Sequence, residues 1–130
     1  MHIYVNISSA LNQLRVAALN EKRTGPALLV TGSQQSGKST LCKMLVNYAI
    51  KLGWTPILAD LDLQSAALSP PGAISASLIQ ESTVLPSDSL SKNTLSYFHG
   101  DTQIITDEFF NKQVGELSAA VKLKLENDLN

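Results

Sequence analysis

The sequence predicts an α/β domain with a parallel sheet, and three observations predict it. An uninterrupted apolar run, Ala27-Leu28-Leu29-Val30-Thr31, is bounded by Gly25-Pro26 and Gly32, as befits a strand buried on both faces. Beyond a loop of Gly, Ser and Gln, apolar residues recur at helical spacing from Leu41 to Leu52. A second apolar run, Pro56-Ile57-Leu58-Ala59-Asp60-Leu61, then completes a strand–helix–strand unit. Strands joined in this way run parallel, with a right-handed crossover.

The elements follow in chain order. His2 to Val5 is a short β-prone stretch. From about Ser8 to Lys22 the pattern is helical, with Leu11, Leu14 and Ala18 on one face, until Gly25-Pro26 stops it. After the first strand and its loop, Leu41, Leu45, Tyr48, Ala49 and Leu52 form one helical stripe, with Met44 beside them. Lys43, Asn47 and Lys51 point away, and Gly53 sits where a C-terminal cap belongs. Trp54, just before the second strand, suits core packing. From Gln64 to Asn93 the chain is rich in Ser, Pro and small residues, with a short strand expected at 74–79 and a third at 95–98. Phe110, Val114, Leu117, Val121 and Leu125 then mark a helix over 107–127, weakened a little by Gly115. Thr106 or Asp107 is its N-cap. Ile104-Ile105 is too short an apolar run to be a strand that would carry Asp107 and Glu108 to a metal.

Composition narrows the function. With 130 residues, 44% hydrophobic and 16% charged, the chain is one domain or part of a larger one, and it is not disordered throughout. No apolar run approaches a membrane span, and the N-terminus lacks the basic-then-apolar form of a signal peptide. The single cysteine, Cys42, excludes an internal disulfide and any multi-cysteine metal site. A net charge of −1 gives no electrostatic footprint for holding nucleic acid by phosphate neutralisation alone. The only arginines are Arg15 and Arg23, so this chain completes no mechanism that needs an arginine on a later loop.

The motif that carries chemistry is Gly32-Ser33-Gln34-Gln35-Ser36-Gly37-Lys38-Ser39, which meets every fixed position of G-x-x-x-x-G-K-[ST]. Shuffling this composition produces the pattern in roughly 0.4% of sequences, and here it also has an apolar run before it and a helix after it. Gly32 and Gly37 allow turns that a side chain would obstruct, so that successive N–H groups cradle phosphate oxygens. The helix that starts near Lys38 aims the positive end of its dipole at the same anion. Lys38 brings an ammonium to the β- and γ-phosphates, Ser39 offers a hydroxyl to Mg²⁺, and Thr40 reaches toward the α-phosphate. Asn111-Lys112-Gln113-Val114 begins like a guanine-reading N-K-x-D pattern. Val114 stands where that pattern needs its aspartate, and the stretch falls on an amphipathic helix, so ATP is expected over GTP.

Mg²⁺ also needs a carboxylate at a strand end beside the loop. Asp60 and Asp62 end the second strand two residues apart and share a face in extended chain. Asp62, nearer the C-terminal end, is the better placed as metal ligand or general base; a strand-end aspartate also caps turns. His2 and His99 have no catalytic or metal-binding neighbours in sequence and read as structural or surface residues.

Together these features resemble the central domain of the eukaryotic polynucleotide 5′-hydroxyl kinase family, which includes the ATP-binding subunit of the pre-mRNA cleavage and polyadenylation factor. The resemblance is carried in order by Tyr4-Val5-Asn6, Ala10-Leu11 and Leu14-Arg15, the phosphate loop running into Leu41, and Asn47-Tyr48-Ala49. It continues through Leu61-Asp62, Pro71-Gly72-Ala73-Ile74-Ser75-Ala76, Tyr97-Phe98-His99-Gly100 and Asn111-Lys112. It implies a three-layer P-loop NTPase fold with ATP and Mg²⁺ as cofactors. Lys38 and Ser39 take their usual roles, and Asp62 the metal or general-base position. It also implies a nuclear location, other subunits of the cleavage and polyadenylation complex as partners, RNA contacts through regions beyond this chain, and no membrane.

Two departures from the family matter. Kinase members carry Asp-x-Gly-Gln-Gly after the second strand, where this chain has Asp62-Leu63-Gln64-Ser65-Ala66. This looks more like the fungal, ATP-binding, non-catalytic branch. Family members are also much longer, so residues 1–130 are expected to be a partial ATP-binding domain, with the phosphate loop at 32–40 and the distal strands and arginine-bearing lid missing. The expectation is an ATP-binding scaffold subunit of the RNA 3′-end processing machinery. The alternative is an RNA 5′-hydroxyl kinase with Asp62 as base.

Overall fold

The structure is a computed structural model that describes residues 2–65, 67–81 and 93–129. Ala66 and the serine-rich stretch 82–92 lie outside the described residues. The chain is α/β. Helices α1 (His2–Asn20) and α2 (Lys38–Lys51) precede strands β1 (Ile57–Asp60), β2 (Ala73–Leu78) and β3 (Thr94–Phe98), and helix α3 (Asp107–Leu129) follows them. The strands form one sheet in the order β1-β2-β3, antiparallel at both junctions.

The expected first strand does not form. Residues 27–31 carry no ladder, and Leu28 and Leu29 are 52% and 78% exposed. A strand needs a neighbour to take its N–H and C=O groups. Among the described residues the outer edge of β1 has no neighbour, and 27–31 does not fill it. The parallel pair with its right-handed crossover is therefore not formed, and the sheet that is observed is built from later sequence. Its central strand, β2, comes from the stretch whose Ser and Ala content muted the signal. Ile74 and Ala76 turn to one face and join Leu63 and Leu117 in the core, with Ile57, Tyr97, Phe110, Val114 and Val121 around them. Ser75 and Ser77 turn to the other face and are wholly buried. Their hydroxyls are satisfied by Ser69 (3.2 Å) and Thr94 (3.0 Å), so burial leaves no polar atom unpaired there.

The β-prone start of the chain is helical instead: α1 begins at His2, with Ile3 and Val5 exposed. Strand propensity expresses fit to a pleated, half-buried surface. With no sheet beside these residues, a helix satisfies their backbone locally. Lys22, in left-handed conformation (φ 51°), ends the helix before Gly25 is reached, with Arg23 N–H returning to Ala18 O at 3.0 Å. At the end of α2, Gly53 (φ 84°) does the same where expected, with Trp54 N–H bonded to Ala49 O at 3.0 Å. Trp54 Nε1 donates to Asn12 Oδ1 at 2.9 Å, tying α1 to the turn that leads into β1. Thr106 caps α3: its Oγ1 accepts from Phe109 N–H at 3.4 Å. Helix α3 lies on the Ile74–Ala76 face. Among the described residues no helix is long and apolar enough to cross a membrane.

Candidate phosphate-binding site

The site is assembled at the N-terminal end of α2. Gly37 precedes the helix in left-handed conformation (φ 85°, ψ 12°), and no side chain caps the first-turn amides. No acidic residue occupies that turn, so the partial positive charge of the helix end is not neutralised from within the helix. Gly32 stands in a tight spot: a Cβ there would lie 3.1 Å from Ser36 Oγ, which would have to give way by a few tenths of an ångström. Gln35 also adopts positive φ (58°). The segment is thus wound more tightly than an ordinary connection, in the manner of a backbone cradle for an anion.

Lys38 folds back across this loop. Its Nζ donates to Gly32 O at 2.9 Å and to Ser33 O at 2.6 Å. The ammonium is therefore held against the backbone at the start of the loop. Ser39 and Thr40, in the first turn of α2, are exposed. Residues 32–40 are all placed around one helix end.

The two aspartates separate in the structure. The strand ends at Asp60, and Asp62 stands beyond it, exposed, in the following turn. Asp60 Oδ1 accepts from Asp62 N–H at 3.1 Å, and Asp62 Oδ1 accepts from Gln64 N–H at 3.0 Å. Both carboxylates thus brace successive turns, and each keeps further lone pairs for other donors or a cation. Asp62 and Gln64 also line a cleft of about 430 Å³, together with Leu61, Leu63, Thr102, Gln103, Ile104 and Phe110. Gln34 Nε2 donates to Gln64 Oε1 at 2.8 Å, which joins the phosphate loop to the turn that carries Asp62. Cys42, one turn into α2, has its thiol pushed up by burial and, secondarily, by the negative charge of Asp60.

Among the described residues no three His, Cys, Asp or Glu side chains come together as a metal site. A Mg²⁺ site built from one hydroxyl, one carboxylate and phosphate oxygens does not require such a cluster. Asn111 and Lys112 lie exposed on α3 and Val114 packs on the core, as an amphipathic helix requires. Two contacts had no sequence signal, Gln34 with Gln64 and His99 with Gln113. Their partners are 30 and 14 residues apart and belong to no motif.

A left-handed glycine that opens a helix, with the next lysine turned back on its own loop, is the geometry of a P-loop domain. Comparison with known families agrees: residues 32–130 match the mRNA cleavage and polyadenylation factor CLP1 P-loop. The chain belongs to that family. It is 33% identical over 129 residues to polyribonucleotide 5′-hydroxyl-kinase Clp1 of Xenopus laevis, covering 98% of this chain and 29% of that protein. With the protein of the same name from Danio rerio it shares 34% identity over 127 residues, 97% of this chain and 29% of the relative. The CLP1 homolog of Drosophila mojavensis is 46% identical over a shorter span of 77 residues, 59% of this chain and 18% of that protein. The chain spans less than a third of the length of these curated relatives.

Proposed function

We propose that this chain is the ATP-binding part of a subunit of the nuclear pre-mRNA cleavage and polyadenylation machinery, and that its nucleotide stabilises a surface for other subunits of that complex. Residues 32–40 hold the phosphates, with Lys38 on the β- and γ-phosphates and Thr40 toward the α-phosphate. Ser39 and Asp62 hold Mg²⁺, which screens phosphate charge when bound. The observation that carries this reading is the left-handed Gly37 at the bare N-terminus of α2, with Lys38 held over the loop beside it. The absence of glycine after Asp62 supports the scaffold role: Leu63 is 4% exposed and anchored in the core, which ties down the turn.

A second reading has its own observation. The cleft beside Asp62 is large enough for a small substrate, and the names of the relatives from Xenopus laevis and Danio rerio describe 5′-hydroxyl kinases. On that reading the cleft takes the acceptor end of RNA, and Asp62 accepts the proton of its 5′-hydroxyl as the γ-phosphate is transferred. Labelled ATP, the full-length protein and a 5′-hydroxyl oligonucleotide separate the two. The scaffold role predicts no transfer above background. Transfer that Asp62→Asn abolishes would establish the kinase instead.

A further inference from the structure

His99 is 4% exposed and takes no part in the phosphate loop, yet its imidazole is engaged at both nitrogens. Nδ1 lies 2.7 Å from Gln113 Oε1, and Nε2 lies 3.2 Å from the backbone nitrogen of Ile105. A backbone N–H can only donate, so Nε2 carries the lone pair and Nδ1 the proton. The other end of the chain imposes the same answer. Gln113 Nε2 donates to Phe98 O at 3.0 Å, which turns Oε1 toward His99. Every donor in the series Ile105 N–H, His99 Nδ1–H, Gln113 Nε2–H meets an acceptor, and only the neutral Nδ1–H tautomer satisfies all three. Phe109 stacks on the ring at 5.2 Å and Phe110 meets it edge-on at 5.9 Å, leaving it little freedom to rotate.

This clamp closes the base of a loop that lines the cleft. Residues 100–105 join β3 to α3, with Ile105 brought back to His99 by its N–H, and Thr102, Gln103 and Ile104 line the cleft together with Asp62. The backbone of His99 connects to another lining residue: His99 N–H donates to Gly72 O at 2.7 Å, and Gly72 N–H donates to Leu63 O at 2.8 Å. Asp101 Oδ1 adds a brace within the loop, accepting from Gln103 N–H at 3.1 Å.

We propose that His99 is a positioning residue whose neutral Nδ1–H imidazole sets the 102–104 wall of the cleft beside Asp62. Its consequence for binding rests on the reading of that cleft as an acceptor site. The wall is held through Ile105, so a side chain that accepts at the Nε2 position preserves it and one that donates only at the Nδ1 position does not. His99→Gln is the first kind and His99→Asn the second.

The test uses full-length protein labelled with ¹⁵N-histidine, with ATP and a 5′-hydroxyl oligonucleotide as probes. The ¹⁵N shifts should report a protonated Nδ1 and a bare Nε2. The Ile105 amide should exchange slowly in wild type and His99→Gln and at least about tenfold faster in His99→Asn. Oligonucleotide affinity should fall about tenfold in His99→Asn and stay within about threefold of wild type in His99→Gln, with ATP affinity unchanged in both. An Nε2–H tautomer, identical Ile105 exchange in the two variants, or a parallel loss of ATP and oligonucleotide binding would overturn the proposal. Should wild-type protein bind no oligonucleotide, the acceptor reading of the cleft fails, while the tautomer and the Ile105 exchange still decide the role of His99.

Discussion

At the scale of single residues, two of the three Lys38 ammonium donors go to carbonyls of its own loop, which fixes the side chain and leaves a donor and the full positive charge for an anion. Asp60 and Asp62 look alike in sequence but differ in position: Asp60 is in the sheet, half-buried, while Asp62 is exposed on the cleft. If Asp62 serves the metal, Asp62→Asn weakens Mg²⁺-dependent ATP binding about tenfold or more and Asp60→Asn leaves it nearly unchanged, as titrations with and without Mg²⁺ would report. Equal losses would assign the metal to the wrong carboxylate. Cys42 offers a further test of local geometry. Burial first, and the Asp60 charge second, raise its thiol, so at a given pH less of it is thiolate and its alkylation profile lies to the alkaline side of free cysteine. Asp60→Asn removes the smaller cause and should move the profile part of the way back. An unchanged profile would mean that the Asp60 charge does not reach the thiol.

At the scale of elements, the helices obeyed local rules and the strands depended on neighbours. Helix α2 was legible because its stripe, its Gly53 cap and its loop are written within a short span, although Val46 rather than Leu52 completes its buried face. Helix α3 was legible for the same reason, down to the Thr106 cap. Strand β2 was visible only faintly, since five of its residues are buried behind an Ala/Ser pattern that shows no strong hydrophobic alternation. The run 27–31 shows the converse: it has the composition of a strand but finds no partner among the described residues. Within the candidate site, the P-loop motif at 32–39 is written in one short span, while the cleft was not legible, because its lining comes from residues about 40 positions apart in sequence. The link between α1 and the turn before β1 is measurable. Asn12→Ala removes the acceptor of Trp54 Nε1 and should lower stability by about 1 kcal/mol, read by denaturation followed through Trp54 fluorescence. A loss below about 0.3 kcal/mol would show that the bond is not formed in solution.

At the scale of the whole molecule, both arginines of the chain stand before the P-loop. Phosphoryl transfer depends on charge stabilisation at the transferred group, to which a correctly placed arginine contributes about 10³ to 10⁵ in rate. Arg15 lies on α1 and Arg23 just beyond it, both before the phosphate loop, and a lysine lacks the planar fork that grips phosphate oxygens in pairs. The 130 residues alone are therefore expected to hydrolyse ATP or phosphorylate RNA far more slowly than ~1 s⁻¹, the low end of the kinase range. Turnover at that rate by the purified chain would contradict this. Binding of the ATP phosphates by residues 32–40 is decided by calorimetry of the full-length protein and its Lys38→Ala variant, titrated with Mg²⁺–ATP. The loss of one charge-assisted contact, about 1.5 to 3 kcal/mol, predicts affinity reduced about ten- to a hundredfold; equal affinity for ATP in the two proteins would contradict the assignment.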